Sequence, residues 1–363
     1  MAWLEELNNN VTTAAGLAEI FSDIVIDKKI EDVLEKYPIS IPRYYLSLIN
    51  RDDPNDPIRK MCVPSFGEMD IGGSFDTSGE NDNTVITGMQ HKYSQTALIL
   101  STYCCAMYCR HCFRKRMVGA ASNEVAIDFD KIFEYIKEYN EITNVLVSGG
   151  DAFLINNAVI ENYLSALSSI DHLDYIRFGT RTPVVLPQRI TEDTELVEIL
   201  SRYNEKKQIY IVTQFNHPNE ITDQSKEAVR LLRKAGIVIK NQTVLLKGIN
   251  DKPETLGTLF RELTKIGVIP YYVFQCRPVS GVKNQFQVPI RDGYEIIEQA
   301  KNMQNGNGKC FRYAMSNKRG KVEIIGKGLN EGEMIFKFHQ AKDKENRGKI
   351  FTKVLSKNEC WVD

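Results

Sequence analysis

The chain has 363 residues, 42% of them hydrophobic, enough to bury one large core, so one catalytic domain with terminal extensions is expected in place of several small modules. Its 46 Lys and Arg nearly cancel its 47 Asp and Glu. That balance argues against nucleic acid or an anionic membrane as partner and makes a small-molecule substrate the default. The N-terminus, Met1-Ala2-Trp3-Leu4-Glu5-Glu6, lacks the basic start and apolar run of a signal peptide, and no later stretch approaches about 18 consecutive apolar residues. A cytoplasmic protein is expected.

The first 90 or so residues read as a helical region, Leu4 to about Lys36, followed by a loop-rich stretch with five prolines between Pro38 and Pro64. Gly67 to Asn83, rich in Gly, Ser, Asp and Asn, reads as a connector. From about Leu98, short β-branched or aromatic runs alternate with amphipathic stretches, the pattern of a parallel α/β sheet. The expected strands are Ala97–Tyr103, Asn144–Ser148, Tyr175–Gly179, Gln208–Thr213, Val238–Leu246 and Ile269–Gln275. Between and after them fall helices at Asp128–Asn140, Val159–Ile170, Glu192–Tyr203, Thr222–Ala235, Glu254–Ile266 and Asp292–Met303. Six strand-then-helix repeats match a partial (β/α)6 barrel of TIM type. Past Gly306 the chain turns polar, with glycines marking turns and short strands at most. The expected division is 1–90 as N-terminal extension, 91–303 as barrel and 304–363 as a mixed C-terminal extension.

Eight cysteines in a chain this long do not resemble a secreted disulfide framework, and four of them (Cys104, Cys105, Cys109, Cys112) crowd into one stretch. Cys105-Ala106-Met107-Tyr108-Cys109-Arg110-His111-Cys112 has the spacing C-x3-C-x2-C, directly after the first expected barrel strand. Three thiolates can hold three irons of a 4Fe-4S cubane and leave the fourth iron open. The motif resembles that of radical S-adenosylmethionine (SAM) enzymes, in which the open iron chelates SAM and the cluster's electron releases a 5'-deoxyadenosyl radical. A structural zinc site on the same thiolates, with His111 as a fourth ligand, is the alternative, although no second Cys pair accompanies it.

The chain as a whole resembles the lysine 2,3-aminomutase family of radical SAM enzymes. The resemblance rests on His91-Lys92-Tyr93, the run Cys105 to Arg116, Ser148-Gly149-Gly150-Asp151, Gly179-Thr180-Arg181-Thr182-Pro183-Val184, Phe215-Asn216-His217-Pro218, Asn241-Gln242-Thr243-Val244-Leu245-Leu246 and Tyr271-Tyr272. It implies a SAM edge at Gly149, Gly150 and Asp151, and further cofactor-pocket residues at Tyr93, His217 and Gln242. It also implies Arg114 as partner of the substrate carboxylate, unless Arg110, Arg114, Lys115 and Arg116 form a solvated basic run. Pyridoxal 5'-phosphate (PLP) is implied on a lysine in a Gly-rich loop, and Gly320-Lys321-Val322 makes Lys321 the candidate Schiff-base lysine.

Departures from the family pattern bear on cofactor and substrate. Ser316-Asn317-Lys318-Arg319 replaces the glycine run, and Thr96 stands where the family has an arginine near the phosphate; Lys318 or Arg319 is a candidate replacement. Lysine-specific members face the distal ammonium with two aspartates, where this chain has Arg277 and Ala314. Arg277 can accept a distal carboxylate or the PLP phosphate, so a glutamate-like substrate is expected and lysine is not. No C-terminal zinc cluster is expected, since Cys360 is alone there. An electron donor such as flavodoxin or ferredoxin and a homo-oligomeric assembly complete the implied partners. Two other readings stay open: a PLP-independent radical SAM enzyme of the same fold, which acts on another metabolite or cleaves SAM, and a non-enzymatic iron-sulfur or zinc scaffold.

Overall fold

A computed structural model describes residues 2–119 and 123–363. Among these, a short hairpin, β1 (Thr84–Ile86) and β2 (Met89–Tyr93), leads into β3 (Thr96–Thr102). β4 (Asn144–Gly149), β5 (Tyr175–Gly179), β6 (Ile209–Thr213), β7 (Val238–Leu245), β8 (Ile269–Gln275) and β9 (Arg312–Ser316) follow, each joined to the next by a helix. The chain ends in β10 (Gly320–Lys327), β11 (Glu333–Ala341) and β12 (Ile350–Val354). The strands lie in one sheet in chain order, parallel from β3 through β9 and antiparallel at both ends. This is the partial TIM-type barrel expected from the sequence, and its six expected strands and six helices fall within two residues of their expected bounds.

The helices form where they do for local reasons. Asp128, Asn156, Asp193 and Thr222 each accept a backbone N–H of the first turn, satisfying donors that a helix start leaves open. The helix Pro253–Lys265 buries Leu256, Leu259, Phe260 and Leu263 on one stripe. In the strands, burial alternates: Ile176 and Phe178 of β5 are buried in the helix layer, while Tyr175, Arg177 and Gly179 turn inward.

The last sixty residues depart from expectation. They hold strands of up to 9 residues, not short ones at most, and β9 adds a further parallel strand beside β8. The buried face of β10, opposite Lys321, carries glycine at 320 and 326 beside Val322 and Ile324, which hides the strand's apolar alternation. A Cβ at Gly320 would lie 2.2 Å from the Gln340 carbonyl oxygen, so the residue before Lys321 is small because two strands pass closely there. Among the described residues no helix is long and apolar enough to cross a membrane.

The expected N-terminal helices occur at Ala2–Asn8, Ala14–Ala18 and Lys28–Lys36. Trp3 anchors the first: its Nε1 donates to Asp193 Oδ2 at 3.1 Å, and the Arg189 guanidinium lies 4.5 Å from the Trp3 ring centroid. Arg189 and Asp193 form a buried pair at 2.5 Å. Trp3→Ala therefore exposes a buried cation and opens a cavity, and denaturant titration is expected to show a loss of about 3–5 kcal/mol. A loss under about 1 kcal/mol would mean that the first helix is not docked in solution.

Candidate active site

The inner face of the sheet lines a cavity of about 630 Å³ that runs from Thr96, Asn144 and Tyr175 at the strand starts to Gly149, Gly179 and Thr213 at their ends. Cys105, Cys109 and Cys112 lie along its wall in the loop after β3, on the face where barrel enzymes carry their chemistry. All three are free thiols.

Backbone contacts hold that loop against the end of β4. Gly150 N–H donates to Thr102 O at 2.6 Å and Asp151 N–H to Cys104 O at 2.8 Å. A Cβ on Gly149 would meet Thr102 O at 2.4 Å, and one on Gly150 would meet Cys104 O at 2.2 Å. Glycine is thus required at both positions by the closeness of the cysteine loop. Asp151 is buried, and its carboxylate accepts the N–H groups of Phe153 (3.0 Å) and Arg181 (2.7 Å), tying the end of β4 to that of β5.

Side chains hold the loop from the other side, and here the alternative of a solvated basic run fails. Arg110 and Lys115 both pair with Glu68, which is fully buried. Arg114 and Arg116 pair with Glu80 at 2.9 and 2.7 Å. Burial pushes the Glu80 carboxyl up, but Arg114 and Arg116 reverse this and hold it down at about 2. A carboxyl depressed in the folded state stabilises above the ordinary carboxylate range, and this stabilisation is lost as pH falls toward about 2. The connector of residues 67–83 is therefore a structural clamp.

Burial raises the Cys105 thiol well above its usual range and pushes Cys112 up to about 11, so an apo thiolate is disfavoured at either position. Arg181 places Nη1 2.8 Å from Cys109 Sγ. Among the described residues no three Cys, His, Asp or Glu side chains converge on the spot a single metal ion would occupy. The three thiols lie in one loop along the wall of one cavity, a donor set of the kind a cubane takes at one thiolate per iron. The donor set fits an iron-sulfur cluster.

Farther along the wall, Lys321 sits on β10 with Nζ 4.4 Å from the Tyr272 ring centroid and 5.6 Å from that of Phe274. Burial, then the positive charges of Arg177, Arg277 and Lys92, bring its amine down to about 7. An amine with a substantial neutral fraction near pH 7, set beside cations, suits attachment of an aldehyde that carries an anionic group. The residues fit PLP. Tyr93, Gln242 and Arg277 line the same cavity, as does Arg114, which also aims Nη1 at Gly149 O (3.4 Å).

Some expected residues lie elsewhere. His217 does not line the cavity: its Nδ1 accepts the Asn219 N–H and so caps the short helix Pro218–Glu220. Arg319 stacks on Phe338 at 4.8 Å, and neither it nor Lys318 faces the cavity. Ala314 is buried in β9. Conversely, Glu68, Glu80, Arg177 and Arg181 hold or line the site without having been singled out. Arg177 was accessible from strand parity, since it shares the inward face of β5 with Gly179. The two glutamates carry no such signal, because their partners lie more than thirty residues away.

Replacing Glu68 by Gln would leave Arg110 and Lys115 buried without their carboxylate. The expected cost is about 3–5 kcal/mol in unfolding free energy, with iron content after anaerobic reconstitution falling alongside it. Full iron loading and unchanged stability in Glu68→Gln would refute the clamp.

The radical SAM superfamily profile matches residues 99–259. The chain is 38% identical over 311 residues to the L-lysine 2,3-aminomutase of Clostridium subterminale, covering 84% of this chain and 73% of that protein. It is 40% identical over 304 residues to the glutamate 2,3-aminomutase of Clostridioides difficile, covering 83% and 71%. A protein of Aquifex aeolicus, provisionally named an L-lysine 2,3-aminomutase, is 41% identical over 338 residues, covering 93% and 90%.

Proposed function

The chain belongs to the lysine 2,3-aminomutase family of radical SAM enzymes, and on that footing we propose that it moves the α-amino group of a glutamate-like amino acid to the β-carbon. Membership of the family implies a 4Fe-4S cluster, SAM and PLP. The substrate assignment is carried by one observation: Lys92, Arg114, Arg177, Arg181, Arg277 and Lys321 line the cavity against two carboxylates, Glu80 and Asp151. A cavity with that surplus favours anionic groups.

When bound, the cluster with SAM supplies a 5'-deoxyadenosyl radical for hydrogen abstraction, and PLP supplies the carbonyl that carries the migrating nitrogen. Cys105, Cys109 and Cys112 hold the cluster; Gly149, Gly150 and Asp151 form the edge for the methionine end of SAM. Tyr93 and Gln242 would line the cofactor pocket, and Lys321 would hold PLP. Arg114, one edge of its guanidinium fixed by Glu80, presents the other to the substrate α-carboxylate. Arg277 lies 4.1 Å from the Phe113 ring centroid and Arg114 lies 4.6 Å from it, so two guanidinium groups gather around one ring. Arg277 donates Nη1 to Ser78 Oγ at 2.8 Å and keeps further donors for a distal carboxylate. Burial lowers its pKa to about 10, which leaves it charged at neutral pH.

The assignment extends to the whole protein as 1–90, 91–303 and 304–363 for N-terminal extension, barrel and C-terminal extension. It also includes a flavodoxin- or ferredoxin-like electron donor, a homo-oligomer and the cytoplasm as location.

Two measurements test this reading. With Lys321 near a pKa of about 7, deprotonation exposes the lone pair as pH rises, so the rate of PLP uptake should climb through pH 7 and level off above it. Borohydride should fix the label on Lys321; a label elsewhere, or no uptake, would favour the PLP-independent reading. In turnover assays, kcat/KM for glutamate should exceed that for lysine at least about 100-fold, because the lysine ammonium would face Arg277. Arg277→Asp should narrow the gap. Lysine as the best substrate of the wild type would overturn the assignment.

A further inference from the structure

Arg177 stands on the inward face of β5 and lines the cavity. Its Nη2 donates to Asn144 Oδ1 at 2.5 Å. Asn144 Nδ2 in turn donates to Gln95 O at 2.7 Å and Thr96 Oγ1 at 3.1 Å, so the guanidinium is tethered to the starts of β3 and β4. Its Nε is shut off from solvent and has no partner.

The other cations of this end differ in one respect. Arg277 and Lys92 each feel the acidic side chains Glu80 and Asp76. The ionisable groups that raise Arg177 are tyrosines alone, Tyr175, Tyr271 and Tyr272, which are neutral at physiological pH. A guanidinium with a buried, unpaired Nε and no anion beside it is costly unless a ligand brings the anion. Of the cations that lower the Lys321 amine after burial itself, Arg177 acts more strongly than Arg277 or Lys92. In a pyridoxal ring the phosphate arm and the aldehyde are held on adjacent carbons of one rigid ring, so the cation that meets the phosphate must share a wall with the lysine that meets the aldehyde. Arg277 is gathered instead with Arg114 around Phe113.

We propose that Arg177, positioned by Asn144, receives the PLP phosphate, which leaves Arg277 to the substrate; this rests on the PLP reading above. A phosphate monoester offers three acceptor oxygens, and the open Nε of Arg177 supplies one edge of a two-point contact. The Asn144–Thr96 pair keeps the fork in place before the ligand arrives.

Binding constants for PLP and for pyridoxal, which lacks the phosphate, separate the possibilities when measured on the cluster-loaded protein by the absorbance of the lysine-attached chromophore. Arg177→Gln should weaken PLP about 10- to 100-fold and leave pyridoxal within about twofold. Arg177→Lys, which keeps the charge and loses the fork, should fall between. Arg277→Gln should leave both ligands near wild type, and inorganic phosphate should compete with PLP in the wild type but not in Arg177→Gln. Equal loss of PLP and pyridoxal in both Arg177 variants, or a PLP-selective loss in Arg277→Gln in place of Arg177→Gln, would overturn the assignment. A wild type that binds pyridoxal and PLP equally well keeps Lys321 as the attachment point and refutes Arg177 as phosphate partner. A wild type that takes up neither ligand refutes both.

Discussion

Two buried carboxylates govern the metal-binding loop. Glu68 and Glu80 come from the stretch before the barrel, and between them they pair with Arg110, Arg114, Lys115 and Arg116. Four cations crowded around three cysteines would repel one another in a medium of low dielectric constant, and the loop could not close over the sheet. With the carboxylates in place, the charges that would scatter the loop fasten it. Cysteine placement is therefore set as much by the N-terminal extension as by β3.

This division explains how much of the site was legible beforehand. Strand and helix positions followed from the two periodicities of apolar residues, and the parallel core appeared where Ile176 and Phe178 or Leu256 and Leu263 marked them. The cysteine spacing pointed to a cluster because the chemistry needs three thiolates within one loop. By contrast, Glu68 and Glu80 looked like ordinary members of a polar connector, since an ion pair between distant segments has no period. The roles of Gly149 and Gly150 were readable only in part: a glycine pair signals a tight turn, but the backbone it admits, that of Thr102 and Cys104, becomes visible only in three dimensions. The C-terminal meander was underestimated because glycine at 320 and 326 interrupts the apolar buried face of β10, and Lys321, on the opposite face, could be found only through the family resemblance.

The charge imbalance of the cavity links structure to ligand class. Arg181 already spends donors on Cys109, Gln214 O and Glu220, and Arg114 on Glu80, so these cations are internally engaged. The surplus is concentrated at Arg177 and Arg277, on the cavity wall shared with Lys321. Burial and then positive charge at that end suppress protonation of the lysine, and the same charge favours anions, so one arrangement prepares both the amine and its visitors. Relatives named for lysine and for glutamate share about the same identity with this chain, and overall similarity therefore does not discriminate between the two substrates. Under the proposed function that discrimination falls to a single side chain, Arg277.

The placement of these parts along the chain also orders them in time. Glu68, Glu80, the cysteine loop and Gly150 have all been made once about 150 residues are synthesised, whereas Lys321 lies on a strand that can pair only after β9 exists. At about 5–20 residues per second, the ribosome needs on the order of ten seconds or more to cover the interval. The ion pairs and glycine contacts around the cysteine loop can thus form on the nascent chain before the lysine strand emerges to close the opposite wall.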